Sequence, residues 1–109
     1  MGVAPSEIVI LSMCPAKDSV ANELASQSRA AYRLQEYQYG DPEEKKCVQY
    51  ASIAQFKGLE APMIIITDVV DYTDRRRDEL YCGITRALDR CTVLLPGKIR
   101  EELLEASNA

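Results

Sequence analysis

Two short segments in the second half of the chain contain the residues best suited to chemistry. In Lys57-Gly58-Leu59-Glu60, a glycine stands between a lysine and an acid. Such a glycine suits a loop whose backbone must approach a ligand closely, although a plain turn after a strand has the same composition. Residues 80–90 form an amphipathic pattern that carries Arg86 and Arg90. A guanidinium is always charged and binds phosphate with a planar fork, but surface arginines are more often simply solvated.

Several other kinds of chemistry are excluded or disfavoured by composition. The chain has no histidine, which removes Ser-His and Cys-His nucleophilic catalysis. Its four cysteines, Cys14, Cys47, Cys82 and Cys91, lack the CxxC spacing of a zinc site. We expect no metal site, and we expect these thiols to be reduced packing residues of an intracellular protein.

Two charged features resemble sites but have simpler explanations. The run Ile64-Ile65-Ile66-Thr67-Asp68 imitates a strand whose aspartate holds Mg²⁺, yet the chain lacks the companion phosphate loop GxxxxGK[ST]. Asp68 is therefore predicted to be a strand-end loop residue. Arg75-Arg76-Arg77 is predicted to be a solvated loop, with contact to a nucleic-acid backbone as the alternative.

The length and charge of the chain set broader limits. Its 109 residues suffice for one domain. The net charge of −4 argues against tight DNA binding by this chain alone, since free-standing DNA-binding domains usually carry a basic excess. No apolar run approaches the roughly 20 residues of a membrane span, and the N-terminus lacks the regions of a signal peptide. We therefore expect a cytoplasmic protein without a membrane partner.

Strand-like and helix-like segments alternate along the chain. Strands are predicted at residues 7–12, 47–53, 63–70 and 91–95, and helices at 20–38, 79–90 and 98–107, with a loop at Gly40-Asp41-Pro42. An interruption of the first helix at Ser26-Gln27-Ser28 is the alternative. In the second helix, Leu80, Ile84 and Leu88 would share one face. This alternation predicts an α/β domain with a mostly parallel sheet. The loop after residue 53 would lie at the carboxyl ends of the strands, where ligands usually bind.

Together the two segments resemble motifs V and VI of the UvrD/Rep-like superfamily 1 DNA helicases. Residues 52–60 read SIAQFKGLE, similar to the family's SFKGLE preceded by a strand and followed by an apolar one. Residues 80–87 read LYCGITRA, similar to LYVALTRA. Arg77 also falls where the family often has an arginine. The resemblance covers about residues 7–95 of a single domain, and it implies a partial RecA-like domain, the second of two motor domains.

The resemblance assigns roles to particular residues. It implies that Arg86 is the catalytic arginine finger, which reaches across the cleft to the γ-phosphate of ATP. Glu60 would bond the nucleotide sugar, and Gly58 would let the loop sit close to the nucleotide. Lys57 is a candidate for a phosphate or DNA contact.

The nucleic-acid contacts of motif V fall on Ser52 and Gln55. Many relatives have a threonine followed by a histidine or polar pair there. Ser52 and Ala54-Gln55 depart from this pattern, and Gln55 is the residue that could supply a hydrogen bond. Cys82-Gly83 replaces a commoner Val-Ala pair.

The partners implied are the first RecA-like domain of the same protein and single-stranded or partly duplex DNA. ATP with Mg²⁺ would be held mainly by that missing domain, so we expect no ATP hydrolysis from the 109 residues alone. The alternatives are a helicase-like binding or regulatory module without motor activity, an RNA-acting relative, or a helicase fused to a nuclease.

Overall fold

The computed structural model describes residues 4–26, 33–37, 47–70 and 73–97. Five strands and two α-helices lie within these ranges, with 3₁₀ turns at Pro5–Glu7 and Ala16–Asp18. In chain order they are β1 (Ile8–Ser12), α1 (Val20–Ser26), β2 (Arg33–Glu36), β3 (Cys47–Ser52), β4 (Ala61–Thr67), α2 (Asp74–Ile84) and β5 (Ala87–Val93).

The five strands form one sheet in the order β2-β3-β1-β4-β5, and every neighbouring pair is parallel. The chain starts in the middle strand, builds one side of the sheet through β2 and β3, and then crosses β1 to build the other side. The ladder fixes which residues are level: Ser12 pairs with Ser52 on β3 and with Thr67 on β4. The predicted fold class, an α/β domain with a parallel sheet, is confirmed.

The core lies around the central strands because their sequences are apolar on both faces. Leu11, Ile64 and Ile66 are fully shielded from solvent, as expected for strands covered on both sides. Phe56 and Leu80 extend the same cluster beyond the sheet, from the connection after β3 and from α2. The residues that follow β3 and those of α2 therefore share one packed core.

The α1 helix is capped from two sides. The Ser19 hydroxyl accepts a hydrogen bond from the Asn22 N–H at 3.2 Å, as helix-capping serines commonly do. From the loop that follows β4, the Asp68 carboxylate accepts hydrogen bonds from the Val20 N–H at 3.2 Å and from the Thr67 hydroxyl at 2.6 Å. Asp68 follows the last residue of β4, so the prediction of a strand-end loop residue is confirmed. Its carboxylate caps the N-terminus of α1.

The first helix is right in its start at Val20, but the prediction that it continues to residue 38 is wrong. The helix ends at Ser26, and Arg33–Glu36 forms β2. Leu34 and Gln35 pair with Val48 and Gln49 of β3. Good helix formers thus adopt an extended conformation because an adjacent parallel strand offers backbone partners, which sequence propensity does not include.

The second helix is displaced toward the N-terminus relative to its prediction over 79–90. It begins at Asp74, where the Thr73 hydroxyl accepts the Arg76 N–H at 3.4 Å. The run Arg75-Arg76-Arg77 is consequently helical, contrary to the loop predicted. Leu88 lies in β5 and is 65% exposed, so the expected apolar face with Leu80 does not form.

The last two strands also differ at their ends from the predicted bounds. The β4 strand starts at Ala61 and stops at Thr67, and β5 starts at Ala87, earlier than the predicted residue 91. The predicted loop at residues 40–42 and the predicted helix at 98–107 lie outside the described residues. None of the described helices is both long enough and apolar enough to cross a membrane.

Candidate functional site

The connection from β3 to β4 begins with a tight turn built on Ser52. The Ser52 hydroxyl accepts the Gln55 N–H at 3.0 Å, and its carbonyl accepts the Phe56 N–H at 3.1 Å. A serine that bonds the backbone three residues on is a common turn device. The Ser52 hydroxyl predicted to contact nucleic acid therefore already accepts one hydrogen bond, and it keeps its O–H donor and a second lone pair for that role.

Phe56 anchors this turn to the core. Its ring is 3% exposed and meets the Tyr37 ring edge to face, with 5.6 Å between the centroids. Beside it, the exposed Gln55 amide donates to the Tyr37 carbonyl oxygen at a long 3.4 Å. Such a weak bond leaves Gln55 available to another acceptor at the carboxyl edge of the sheet.

Gly58 turns the chain with a φ of +85°. The Leu59 N–H then bonds back to the Phe56 carbonyl at 3.0 Å. A Cβ atom at Gly58 would have no atom of the described structure within 4 Å. Backbone conformation, and not lack of space inside this chain, is what requires glycine here.

Glu60 and Arg86 lie at the opposite end of the sheet from Ser52. They immediately precede β4 and β5, and the Ala61 N–H donates to the Arg86 carbonyl at 3.0 Å. The prediction that the loop lies at the carboxyl ends of the strands is thus right for its first residues and wrong for Glu60. The connection brings the chain from the carboxyl end of β3 to the amino end of β4.

Lys57 and Arg86 line one cavity of about 150 Å³ between this connection and α2. Ile53 and Ala54 form its apolar wall, and Glu79 and Cys82 of α2 complete it. Arg86 is half-buried and Lys57 is exposed. Within the described part of the chain, neither side chain forms an ion pair, so both cations are available to an anionic ligand.

Among the predicted site residues, the structure therefore groups Lys57 and Arg86 in one cavity. Glu60, which is exposed, adjoins Arg86 through the backbone. Ser52 and Gln55 lie together at the carboxyl end of β3, and Gly58 lies between the two groups along the chain.

Sequence reasoning missed Glu79. Glu79 lines the cavity of Arg86, and its carboxylate accepts a hydrogen bond from the Arg76 guanidinium at 3.2 Å. The same Arg76 nitrogen donates to the Met13 carbonyl at 3.0 Å. The spacing of Arg76 and Glu79, three residues apart, is the signal that could have suggested their pairing on a helix.

The fit of this site to a metal ion can be tested on its donor atoms. Within residues 4–26, 33–37, 47–70 and 73–97, no three His, Cys, Asp or Glu side chains are grouped closely enough to hold a metal. The cavity instead presents two cations, which suit phosphate oxygens.

The fold is that of an α/β domain with a parallel sheet. A comparison with protein-family models shows which family part of the chain is similar to. Residues 50–94 match the family model of the UvrD-like helicase C-terminal domain. No curated protein matches the chain.

The match supports the resemblance drawn from the two motifs: residues 50–94, less than half of the chain, are similar to the UvrD-like helicase C-terminal domain. The parallel sheet is consistent with a partial RecA-like domain. Helicases in general use nucleotide with Mg²⁺ and bind DNA. The matched segment includes both the connection after β3 and the end of α2, whereas the resemblance of residues 7–49 stays a prediction.

Proposed function

We propose that this chain is the second motor domain of an ATP-dependent DNA helicase, which couples ATP hydrolysis to movement along single-stranded DNA. The observation that carries the proposal is the cavity between the β3–β4 connection and α2, which Lys57 and Arg86 both line. Two cations that form no ion pair within the described structure provide the charge that a transferring phosphoryl group requires.

Arg86 is the residue proposed to act on the γ-phosphate. Its backbone is fixed on both sides, since its N–H donates to the Gly83 carbonyl at 3.2 Å and its carbonyl accepts the Ala61 N–H. A guanidinium on a rigid backbone suits electrostatic stabilisation, because charge must be placed before the reaction begins. We assign Arg86 the role of arginine finger toward nucleotide held by the first motor domain.

Glu60 and Gly58 are proposed to shape the nucleotide end of the connection. Glu60 is exposed at the start of β4, beside the Arg86 backbone, where its carboxylate can accept hydrogen bonds from the sugar hydroxyls. Gly58 exposes backbone without a side chain and so permits close approach. Lys57 would add a second positive charge to the phosphate end of the same cavity.

Ser52 and Gln55 are proposed to contact the DNA strand at the carboxyl edge. Gln55 is exposed and only weakly bonded, and Ser52 retains a hydroxyl donor. Backbone contacts of this kind position a strand without reading its sequence. The proposal includes a first RecA-like domain and Mg²⁺ that are not supplied by the described residues, so the 109-residue chain alone would not hydrolyse ATP. We place the protein in the cytoplasm.

The proposal is tested by DNA-stimulated ATP hydrolysis in the intact protein that carries this chain. We expect Arg86→Ala to lower turnover by about 10²-fold or more while nucleotide binding is retained, as for other arginine fingers. Arg90→Ala is the matched control, because Arg90 is an exposed arginine on β5 that does not line the cavity. Unchanged turnover in Arg86→Ala would favour the alternative, a helicase-like binding or regulatory module without motor activity.

A further inference from the structure

Glu79 puts a negative charge into the cavity proposed to receive phosphate. Its side chain is 29% exposed and lines the same space as Lys57 and Arg86. An acid with access to these cations would pair with them and compete with an anionic ligand. The position of the Glu79 carboxylate therefore affects how much positive charge the cavity presents.

Arg76 holds this carboxylate from one helical turn away. Its Nη1 lies 3.2 Å from Glu79 Oε2 and 3.0 Å from the Met13 carbonyl oxygen. Met13 is 4% exposed, and its N–H donates to the Thr67 carbonyl at 3.2 Å. Arg76 is thus attached to the packed end of the two central strands, a stable reference point for the Glu79 side chain.

We propose that Arg76 is a positioning residue for the Arg86 cavity. It keeps the Glu79 carboxylate engaged through an ion pair fixed to the Met13 carbonyl, so that Glu79 does not neutralise Arg86 or Lys57. This inference rests on the function proposed for Arg86. It also gives the loop after β1 a direct connection to the residues around the nucleotide.

The other explanation is an ordinary ion pair that only stabilises α2. Partly exposed pairs of this kind contribute little to stability, and both side chains here are roughly one-third exposed. The two explanations differ in what removal of the Glu79 charge does after Arg76 has been lost. If Arg76 restrains a competing carboxylate, neutralising Glu79 restores activity; if Arg76 only supports the helix, it does not.

The test compares Arg76→Ala, Glu79→Gln and the double variant in the intact protein, measuring kcat/KM for ATP at saturating single-stranded DNA. We expect Arg76→Ala to lower kcat/KM about two- to fivefold, the scale of a partly exposed ion pair. The double variant should return to the value of Glu79→Gln alone. Arg75→Ala removes the same charge from an exposed neighbour on α2 and should leave kcat/KM unchanged.

A double variant as impaired as Arg76→Ala would overturn the inference, and so would wild-type kinetics in Arg76→Ala. Thermal unfolding of each variant identifies any loss that comes from a damaged fold. Arg86→Ala, measured beside them, distinguishes a failure of the proposed function from a failure of the role assigned to Arg76. If it retains turnover, the proposed function fails; if it abolishes turnover but the double variant is not rescued, only the role of Arg76 fails.

Discussion

Gly58 and Asp68 both adopt a positive φ, at +85° and +63°, but for different reasons. Asp68 tolerates this region because a short polar side chain can bond locally, and its carboxylate binds the Thr67 hydroxyl and the Val20 N–H. Gly58 has no such compensation, and its conformation depends on the absence of a side chain. A positive φ thus marks a capping residue at one position and a backbone turn at the other.

At the residue scale, Gly58→Ala should destabilise the domain by about 1–2 kcal/mol, the cost of placing an ordinary side chain in the left-handed region. Urea unfolding of the two proteins measures this difference. Gly58→Asn provides the matched comparison and should cost less, because asparagine enters this region more readily. An alanine variant as stable as the wild type would contradict the conformational argument.

At the scale of elements, the contact between α2 and the sheet depends on Gly83. A Cβ atom there would lie 2.9 Å from Ile53 Cδ1 and 3.0 Å from Ile66 Cδ1. The first contact is closer than real Cβ atoms show and the second is tighter than most of them, so the helix approaches the sheet over a residue that has no side chain. The glycine that departs from the family's commoner alanine therefore has a packing explanation.

We expect Gly83→Val to destabilise the domain by about 1–3 kcal/mol, because added methyl groups must displace the tips of Ile53 and Ile66 or move α2 outward. Thermal or urea unfolding measures the effect. Gly97→Val serves as the control: no described atom lies within 4 Å of a Cβ there, and a change of at most about 0.5 kcal/mol is expected. Equal destabilisation by both variants would show that packing under α2 is not the cause.

The elements also show which signals in the sequence were sufficient. The strands β1, β3 and β4 follow from their apolar runs, and the parallel sheet follows from the alternation of strands and helices. The polar sequence of β2 gave no such signal, since its ladder with β3 selects its conformation. Likewise Ala87–Val93 continues a helical pattern in sequence, but Ala87 and Arg90 pair with β4 and extend the sheet.

For the candidate site, two motifs were enough to select Lys57 and Arg86, which the structure places in one cavity. They could not show that Glu60 and Ser52 lie at opposite edges, because that depends on where β4 begins. They also gave no indication of Glu79 in the cavity. The predicted helix starts at residue 79 and does not include Arg76, so a pairing of the two side chains one helical turn apart could not be expected.

At the scale of the whole molecule, several groups are held in their neutral forms. Burial raises the pKa of the Cys91 thiol, and burial together with the Asp68 charge raises that of Cys14, from an ordinary value of 9.0. Burial, assisted by the Glu36 charge, raises the pKa of Tyr50 above its ordinary 10.0. In each case the folded protein retains its proton at a pH where the unfolded chain has lost it.

The free energy of unfolding should therefore be constant with respect to these groups below pH 9 and fall as pH rises through 9 and 10. The sign follows because each pKa is higher in the folded state, so the stabilisation is complete below the unfolded pKa and is lost above it. Urea unfolding of the 109-residue chain between pH 7.5 and 10.5 measures this trend. A combined Cys14→Ala and Cys91→Ala variant should show a shallower decline, and the same slope in both proteins would contradict the assignment to the thiols.

The connection between β3 and β4 is only eight residues, 53–60, whereas parallel strands are usually joined by a dozen or more. It must return along a strand of seven residues, a distance of about 20 Å, while also crossing β1. Because turns occupy much of this length, the segment has little slack. It therefore fixes the distance between the carboxyl end of β3 and the amino end of β4. Even a one-residue insertion would add length that lets Gln55 move without moving Glu60.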